Sequence, residues 1–204
     1  MIRLLVENGA DANVHTGTGT ALYWASYNGD LQSARVLIQH SAQVNSRGGQ
    51  YHTALIAAAW CGHTELICSL IQNGADVNAH ADDGTALYWA SYNGHLESAR
   101  LLIQHSAELN IRGGDYHTAL ITASYHGHSQ SVRMLVKNGA DINAHADDGT
   151  ALYWASCNGD LESARLLIEH SAEVNVKGGE YHTTLGAASR KQHPDLVRLL
   201  LEKG

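Results

Sequence analysis

Several residue types are scarce in this chain of 204 residues, which has one Pro, three Cys and no Phe. Three cysteines, Cys61, Cys68 and Cys157, provide no disulfide framework, and this favours a reducing intracellular compartment, the cytoplasm or the nucleus. Because the chain has 20 Gly and no Phe, we expect many short turns and a core of small residues.

Long apolar runs and basic clusters are missing as well. No apolar stretch approaches the roughly 20 residues that a membrane-spanning helix needs. The N-terminal MIRLLVENGADAN soon reaches charged residues and Gly, so we expect no signal peptide and no membrane partner. The net charge is −7, which argues against binding to nucleic acid, because such binding requires clustered Lys and Arg.

What the chain has instead is internal repetition. The motif TALYWAS begins at Thr20, Thr85 and Thr150, and residues 20–84 are identical to residues 85–149 at 45 of 65 positions. A second threonine divides each block, so that the threonines follow one another in alternating steps of 33 and 32 residues. These second threonines are Thr53, Thr118 and Thr183. The sequence therefore predicts an array of units of two alternating types.

Each unit is predicted to form two helices joined by a turn. The threonine is a suitable N-cap, because its side-chain oxygen can accept from the free amides of the first turn. The second helix carries apolar residues on one face, as at Leu31, Ala34 and Leu37. It stops at NGAD, where Gly74 or Gly139 can take the left-handed conformation. A single pair cannot bury its apolar face, so stacking on neighbouring pairs stabilises it.

The stretch TALIAAAWCGHTELICSLIQNGADVNA, residues 53–79, resembles the ankyrin repeat, whose usual wording is T-P-L-H-x-A-A-x-x-G-H, an apolar helix and G-A-D-V-N. The resemblance covers the whole chain and implies an all-α solenoid with short finger loops, containing six first helices, six second helices and one leading partial helix. The predicted divisions are a partial repeat at 1–13, repeats at 14–45, 46–78, 79–110, 111–143 and 144–175, and a last, uncapped repeat at 176–204. The alternation of GG[QDE]Y with ADDGTAL also resembles the ankyrin arrays of fungal NACHT-type receptor-like proteins.

Two departures from the ankyrin wording predict repeats that are less stable than consensus ones. The proline after the threonine is replaced throughout by Ala or Thr, so the rigid first helical residue is lost. In one repeat type a serine replaces the glycine after the second helix, and a non-Gly residue at positive φ costs on the order of 1 kcal/mol. These serines are Ser41, Ser106 and Ser171.

The ends of the array carry no polar capping repeats, which solenoids normally need for solubility. Leu4, Leu5, Leu199 and Leu200 are predicted to lie in helices with no further neighbour. We therefore expect a segment of a longer protein or a shortened gene product, and self-association through these ends.

The resemblance implies that the two residues before each inter-helix turn face the groove that ankyrin proteins use for partners. Tyr, Trp and Arg dominate interface hot spots, so we predict non-catalytic protein–protein recognition without a cofactor, in the sensor or regulatory segment of a larger receptor-like protein. The same positions include Cys157 and Lys191. The predicted partner-binding residues are Tyr27, Asn28, Trp60, Cys61, Tyr92, Asn93, Tyr125, His126, Asn158 and Arg190, together with Tyr51, Tyr116 and Tyr181 in the fingers.

The repeated histidines and tryptophans receive structural interpretations. Identical positions two repeats apart lie on the order of 20 Å from each other, so the Tyr–His pairs at 51–52, 116–117 and 181–182 cannot share one substrate or one metal ion. We expect these histidines to bond the backbone at the turns, and we predict no metal site. The tryptophans lie opposite small Ser-Ala pairs, so we expect them to fill the core. They are Trp24, Trp89 and Trp154.

Two alternatives stay open. The first is an atypical enzyme or small-molecule site in the groove, for example in fungal secondary metabolism. It would need an unrepeated, converging set of polar groups in a closed pocket, for which the candidates are Trp60, Cys61, Tyr92, Tyr125 and His126. The second alternative is a purely structural spacer.

Overall fold

The computed structural model describes residues 2–49, 53–80, 83–114 and 117–204, and within these it contains thirteen helices. After a leading helix α1, the first and second helices of successive repeats alternate along the chain. They are α1 (Ile2–Glu7), α2 (Ala21–Tyr27), α3 (Leu31–Gln39), α4 (Ala54–Cys61), α5 (Thr64–Gln72), α6 (Ala86–Tyr92), α7 (Leu96–Gln104), α8 (Ala119–Tyr125), α9 (Ser129–Lys137), α10 (Ala151–Asn158), α11 (Leu161–Glu169), α12 (Thr184–Arg190) and α13 (Pro194–Lys203).

The chain divides into two units, the N-terminal unit Met1–Glu108 and the C-terminal unit Leu109–Gly204. In the N-terminal unit, the first helices α2, α4 and α6 pack side by side, and each also packs on the second helix that follows it. The C-terminal unit repeats this arrangement with α8, α10 and α12. It also holds a short antiparallel hairpin, β1 (His145–Ala146) and β2 (Gly149–Thr150).

The threonines cap the first helices as the sequence predicts. Thr20, Thr85 and Thr150 have extended backbones, and the side-chain oxygen of each accepts from the amide three residues later. Thr53, Thr118 and Thr183 do the same in the other repeat type. Each cap satisfies an amide that the first helical turn would otherwise leave unpaired.

The second helices end in a left-handed residue in both repeat types. Gly74 and Gly139 have φ of 85° and 88°, and Ser41, Ser106 and Ser171 have φ of 64°, 66° and 69°. The prediction that serine stands at positive φ in one repeat type is therefore confirmed. The serine repeats carry a local backbone strain that the glycine repeats avoid.

The core of each unit is made of alanines, of leucines from the second helices, and of one tyrosine per TALYWAS repeat. Leu37, Leu102 and Leu167 are buried on the second helices. Tyr23, Tyr88 and Tyr153 are the large aromatic rings of the core. The core thus lies between the two helix layers and leaves the ends of the first helices free to form a surface.

Asparagine side chains connect consecutive repeats through the main chain. Asn45 donates to the carbonyl of Gly74 at 2.9 Å and accepts from the amide of Asp76 at 2.9 Å. Asn143 makes the same pair of bonds with Ser171 and Glu173. Bonds of this kind recur from Asn13, Asn78 and Asn110.

The leucines of the first and last helices differ in burial. Leu4 and Leu5 on α1 are exposed, whereas Leu199 and Leu200 on α13 are buried. The second pair is covered because α13 packs against both α11 and α12.

The tryptophans do not fill the core as expected. Trp24 is 40% exposed, and Trp89 and Trp154 are half-buried. The tyrosine that precedes each of them is the buried ring. On a helix, neighbouring residues point about 100° apart, so when the tyrosine faces the core the tryptophan is turned towards the surface.

Candidate functional site

Aromatic rings gather where the first helices end in the N-terminal unit. Trp60 lies 4.5 Å from Trp89 and 5.7 Å from Tyr92, measured between ring centroids, and Trp89 lies 5.2 Å from Tyr92. We call Trp60, Trp89 and Tyr92 the N-terminal ring cluster. Such edge and stacked contacts stabilise aromatic pairs beyond the burial of their area, so the cluster forms a pre-organised surface.

The first full repeat extends this aromatic surface within the N-terminal unit. Trp24 lies 5.1 Å from Tyr23 and 5.8 Å from Tyr27. The exposed part of Trp24 borders a depression of about 460 Å³ that the finger residues Gly17, Thr18 and Gly49 complete.

The C-terminal unit has a related but different cluster. Tyr125 lies 4.4 Å from Trp154, and Trp154 lies 5.1 Å from Tyr153. We call these three residues the C-terminal ring cluster. Tyr125 is 42% exposed, whereas Tyr153 is the buried member of the cluster.

A depression of about 240 Å³ opens beside this cluster. The three cluster rings line it, with Cys157, Asn158, Glu180, Tyr181 and Lys191. Tyr153 positions one wall, because its hydroxyl accepts from the backbone amide of Tyr181 at 3.1 Å. The ammonium of Lys191 lies 5.6 Å from the centroid of the Tyr181 ring, within the range of a cation–π contact.

Part of the predicted groove set is used to join repeats. The side-chain amide of Asn93 donates to the carbonyl of Trp60 at 3.1 Å, and that of Asn158 donates to the carbonyl of Tyr125 at 2.7 Å. Tyr27, Cys61 and His126 are half-buried, while Asn28 and Arg190 are exposed. The roles of these residues in partner binding stay predictions.

The finger tyrosines are described in part. Tyr51 and Tyr116 lie outside the described residues, as does His52. Tyr181 is half-buried beside the C-terminal ring cluster.

Three histidines at the inter-helix turns lie against backbone carbonyl groups. The Nε2 atoms of His63, His95 and His193 lie 3.2, 3.0 and 3.1 Å from the carbonyl oxygens of the preceding repeat. These carbonyls belong to Tyr27, Trp60 and Cys157.

The histidine of the second Tyr–His pair behaves differently from the expectation. His117 is buried, and its Nε2 lies 2.7 Å from Oδ1 of Asp148. The expected backbone bond is therefore wrong at this residue. Asp148 belongs to the ADDG finger of the next repeat. The sequence of the repeat that contains His117 therefore does not reveal this carboxylate partner.

Burial favours the uncharged forms of four titratable groups near these clusters, two thiols, a phenol and an imidazole. Burial raises the pKa of the Cys61 and Cys157 thiols. Burial also raises the pKa of Tyr153 to about 12. Burial lowers the pKa of His126, and the nearby His128 and His117 add to this effect. A thiol with a raised pKa is a poor nucleophile, so the chemistry of the site favours packing contacts.

The part of the chain that the structure describes holds no group of three or more His, Cys, Asp or Glu side chains placed to bind a metal ion. Among the same residues, no helix has the length and apolar character needed to cross a membrane.

The repeated architecture agrees with comparisons against known proteins. A family model described as ankyrin repeats (3 copies) matches residues 1–81, 78–146 and 144–204, which together cover the chain. The chain belongs to the ankyrin repeat family. The crystal structure of the human ASB11 ankyrin repeat domain superposes with a TM-score of 0.88 at 21% identity, covering 97% of this chain and 90% of that one. The predicted ankyrin-repeat solenoid is thereby confirmed as the fold.

Two curated relatives are much longer than this chain. Alpha-latrocrustotoxin-Lt1a of Latrodectus tredecimguttatus is 37% identical over 84 residues, which are 41% of this chain and 6% of the toxin. Alpha-latroinsectotoxin-Lt1a of the same species is 36% identical over 84 residues, with the same shares covered. The chain thus spans a small fraction of the length of these relatives.

Sequence reasoning missed the residues that shape the C-terminal depression of this ankyrin chain. Trp154 was predicted to fill the core, and Glu180 was given no role. One signal was present in the sequence: ALYWASYNG at 21–29 and 86–94 becomes ALYWASCNG at 151–159. That single change shows that the third TALYWAS repeat differs from the first two at this position of its first helix.

Proposed function

We propose that this chain is a protein–protein interaction module that binds its partner through the aromatic surface at the ends of the first helices. Ankyrin repeats are in general modules of this kind. The observation that carries the proposal is the exposure of aromatic rings on this surface, above all Trp24 and Tyr125. Rigid aromatic rings lose little conformational entropy on binding and supply most hot-spot energy at interfaces.

The electrostatics of the surface support a recognition role. Neutral thiols and a His126 whose pKa is lowered leave the rings as the main contact groups. The groove residues Asn93 and Asn158 hold neighbouring repeats in register, so the rings are presented on a supported backbone. A pre-organised surface binds with a smaller ordering cost.

The finer predictions are carried forward as part of this proposal. They are the sensor or regulatory role in a receptor-like protein of the fungal NACHT type, the cytoplasmic location, and self-association through the exposed Leu4 and Leu5. The candidates for an enzyme site do not gain support, because Trp60 and Tyr92 are packed against each other as rings and the Cys61 thiol has a raised pKa.

Affinity capture with the full chain tests the proposal. The test variant combines Trp24→Ala and Tyr125→Ala, which remove the two aromatic rings that are most exposed among the described Trp and Tyr residues. The matched control combines Gln39→Ala and Lys137→Ala, which are exposed on the second helices α3 and α9. We expect wild type and control to recover the same partners, and the test variant to lose them by about tenfold or more, since a hot-spot residue contributes about 2 kcal/mol or more. Equal recovery by both variants would contradict the proposal.

A further inference from the structure

The three TALYWAS repeats differ at one position of their first helix. Tyr27 and Tyr92 stand where the third repeat has Cys157. The eight other residues of ALYWASYNG are unchanged, so this position has the same sequence neighbours in all three repeats.

In the first two TALYWAS repeats, the ring of the tyrosine at this position packs against the two aromatic rings that precede it on the same helix. Tyr27 lies 5.8 Å from Trp24 and 6.5 Å from Tyr23. Tyr92 lies 5.2 Å from Trp89 and 6.3 Å from Tyr88. The tyrosine thus completes an aromatic trio on its own helix.

In the third repeat the trio lacks this ring. Tyr153 and Trp154 keep their own contact at 5.1 Å, but the thiol of Cys157 is much smaller than a phenol ring and is itself buried. The depression of about 240 Å³ opens at this place. The depression is open to solvent, and its volume exceeds that of an enclosed apolar cavity of about 150 Å³ that binds benzene, so one aromatic ring fits in it by size.

We propose that this depression accepts one aromatic side chain of a protein partner, in the place that Tyr27 and Tyr92 occupy in the related repeats. The inference rests on the proposed function and specifies the partner's anchor. The walls are the rings of Tyr125, Trp154 and Tyr181, and the floor is Tyr153 and the Cys157 thiol. Aromatic walls favour edge and stacked ring contacts, and a sulfur atom makes favourable contacts with ring edges.

The charges at the rim favour a neutral ring over an ion. Glu180 and Lys191 line the depression with opposite charges, so neither an anion nor a cation meets a net attraction there. The ring face of Tyr181 already has a cation near it, since the ammonium of Lys191 lies 5.6 Å from its centroid. An incoming organic cation would have to displace that contact.

The probe for the experiment is p-cresol, the free form of a tyrosine side chain. It is titrated into the full ¹⁵N-labelled chain while the indole N–H signal of Trp154 is followed by NMR, after assignment with Trp154→Phe. The filling variant is Cys157→Tyr, which restores the helix sequence of the other TALYWAS repeats and is expected to fold as they do. The matched control is Cys157→Ala, which leaves the depression open.

We expect p-cresol to shift the Trp154 signal saturably in wild type and in Cys157→Ala, and at least tenfold more weakly in Cys157→Tyr. Cyclohexanol, a non-aromatic ring of similar size, and tetramethylammonium, an organic cation, should both bind more weakly than p-cresol. The inference is overturned by an unchanged affinity in Cys157→Tyr, by no saturable shift in wild type, or by tighter binding of either comparison probe.

Partner capture separates this inference from the proposed function. Cys157→Tyr should lose the partners that the combined Trp24→Ala and Tyr125→Ala variant loses. A partner that stays with Cys157→Tyr but is lost from the combined variant leaves the proposed function intact and overturns the anchor.

Discussion

The N-terminal and C-terminal units contain the same first-helix sequence at 86–94 and 151–159 except for one residue, and their surfaces differ at that place. Tyr92 closes the N-terminal ring cluster by stacking 5.7 Å from Trp60. Cys157 leaves the C-terminal ring cluster open beside Tyr125 and Trp154. The exchange of one side chain therefore changes the local surface of a repeat, while the positions that form its fold stay the same.

The largest expected effect tests whether the two units share the same core. Tyr88 and Tyr153 are 4% and 2% exposed, so Tyr88→Ala and Tyr153→Ala should each lower the free energy of unfolding by about 3–5 kcal/mol, the usual cost of removing a buried aromatic ring. Trp24→Ala should cost about 1 kcal/mol, because Trp24 is 40% exposed. Urea denaturation measures all three. A loss for Trp24→Ala as large as the other two would restore the interpretation of the tryptophans as core residues.

The second prediction concerns the pH dependence that Tyr153 gives the C-terminal unit. Burial raises its pKa from 10.0 to about 12. The folded state therefore holds the phenol proton more tightly than the unfolded state. The contribution of the protonated phenol to the free energy of unfolding is fully present below pH 10 and is lost as the pH rises from 10 to 12. The loss amounts to about 2–3 kcal/mol.

Tyr153→Phe isolates this contribution. Below pH 10 it should cost about 1 kcal/mol, because the amide of Tyr181 loses its acceptor. Above pH 11 the variant should be as stable as wild type or more so, since it has no phenol to ionise. Urea melts of both proteins on either side of this range give the comparison, and a constant difference between them would contradict it.

The smallest expected effect compares the two ways in which the second helices end. No atom lies within 4 Å of a Cβ built at Gly139, so Gly139→Ala tests the backbone alone and should cost about 1 kcal/mol. Ser171→Gly, at φ 69°, should stabilise by roughly 0.5 kcal/mol, because the relief of strain is offset in part by the greater freedom of Gly in the unfolded chain. Gly74→Ala and Ser106→Gly should repeat these signs in the N-terminal unit. Thermal melts measure the shifts, and a stabilising Gly139→Ala would refute the assignment.

The helices and their ends could be predicted from the sequence because they depend on local chemistry that the repeat displays many times. Thr150 caps α10 and Gly139 ends α9 through their own side chain or lack of one. Ser171 at positive φ followed in the same way from its alignment with glycine. Such features need no knowledge of the neighbouring repeat.

The site could be predicted only in part because it depends on which side of a short helix faces the core. The first helices have seven or eight residues, too few for periodicity to decide between Tyr153 and Trp154. The partner of His117 was missed for a related reason, since Asp148 comes from another repeat. The depression at Cys157 lies where a thiol replaces the ring of the related repeats, a difference that is visible only when the repeats are compared with one another.

The asparagine bonds between repeats have a consequence for how such a chain changes over generations. Asn45 and Asn143 hold the following repeat by its amide and carbonyl groups, which every residue type at those positions supplies, apart from the amide that Pro lacks. A duplicated or transplanted repeat therefore brings a connection that fits its new neighbour without compensating mutations. The gene can lengthen by whole repeats, and an exchange of one side chain, such as tyrosine to cysteine, can alter the surface of one repeat while these main-chain connections stay in place.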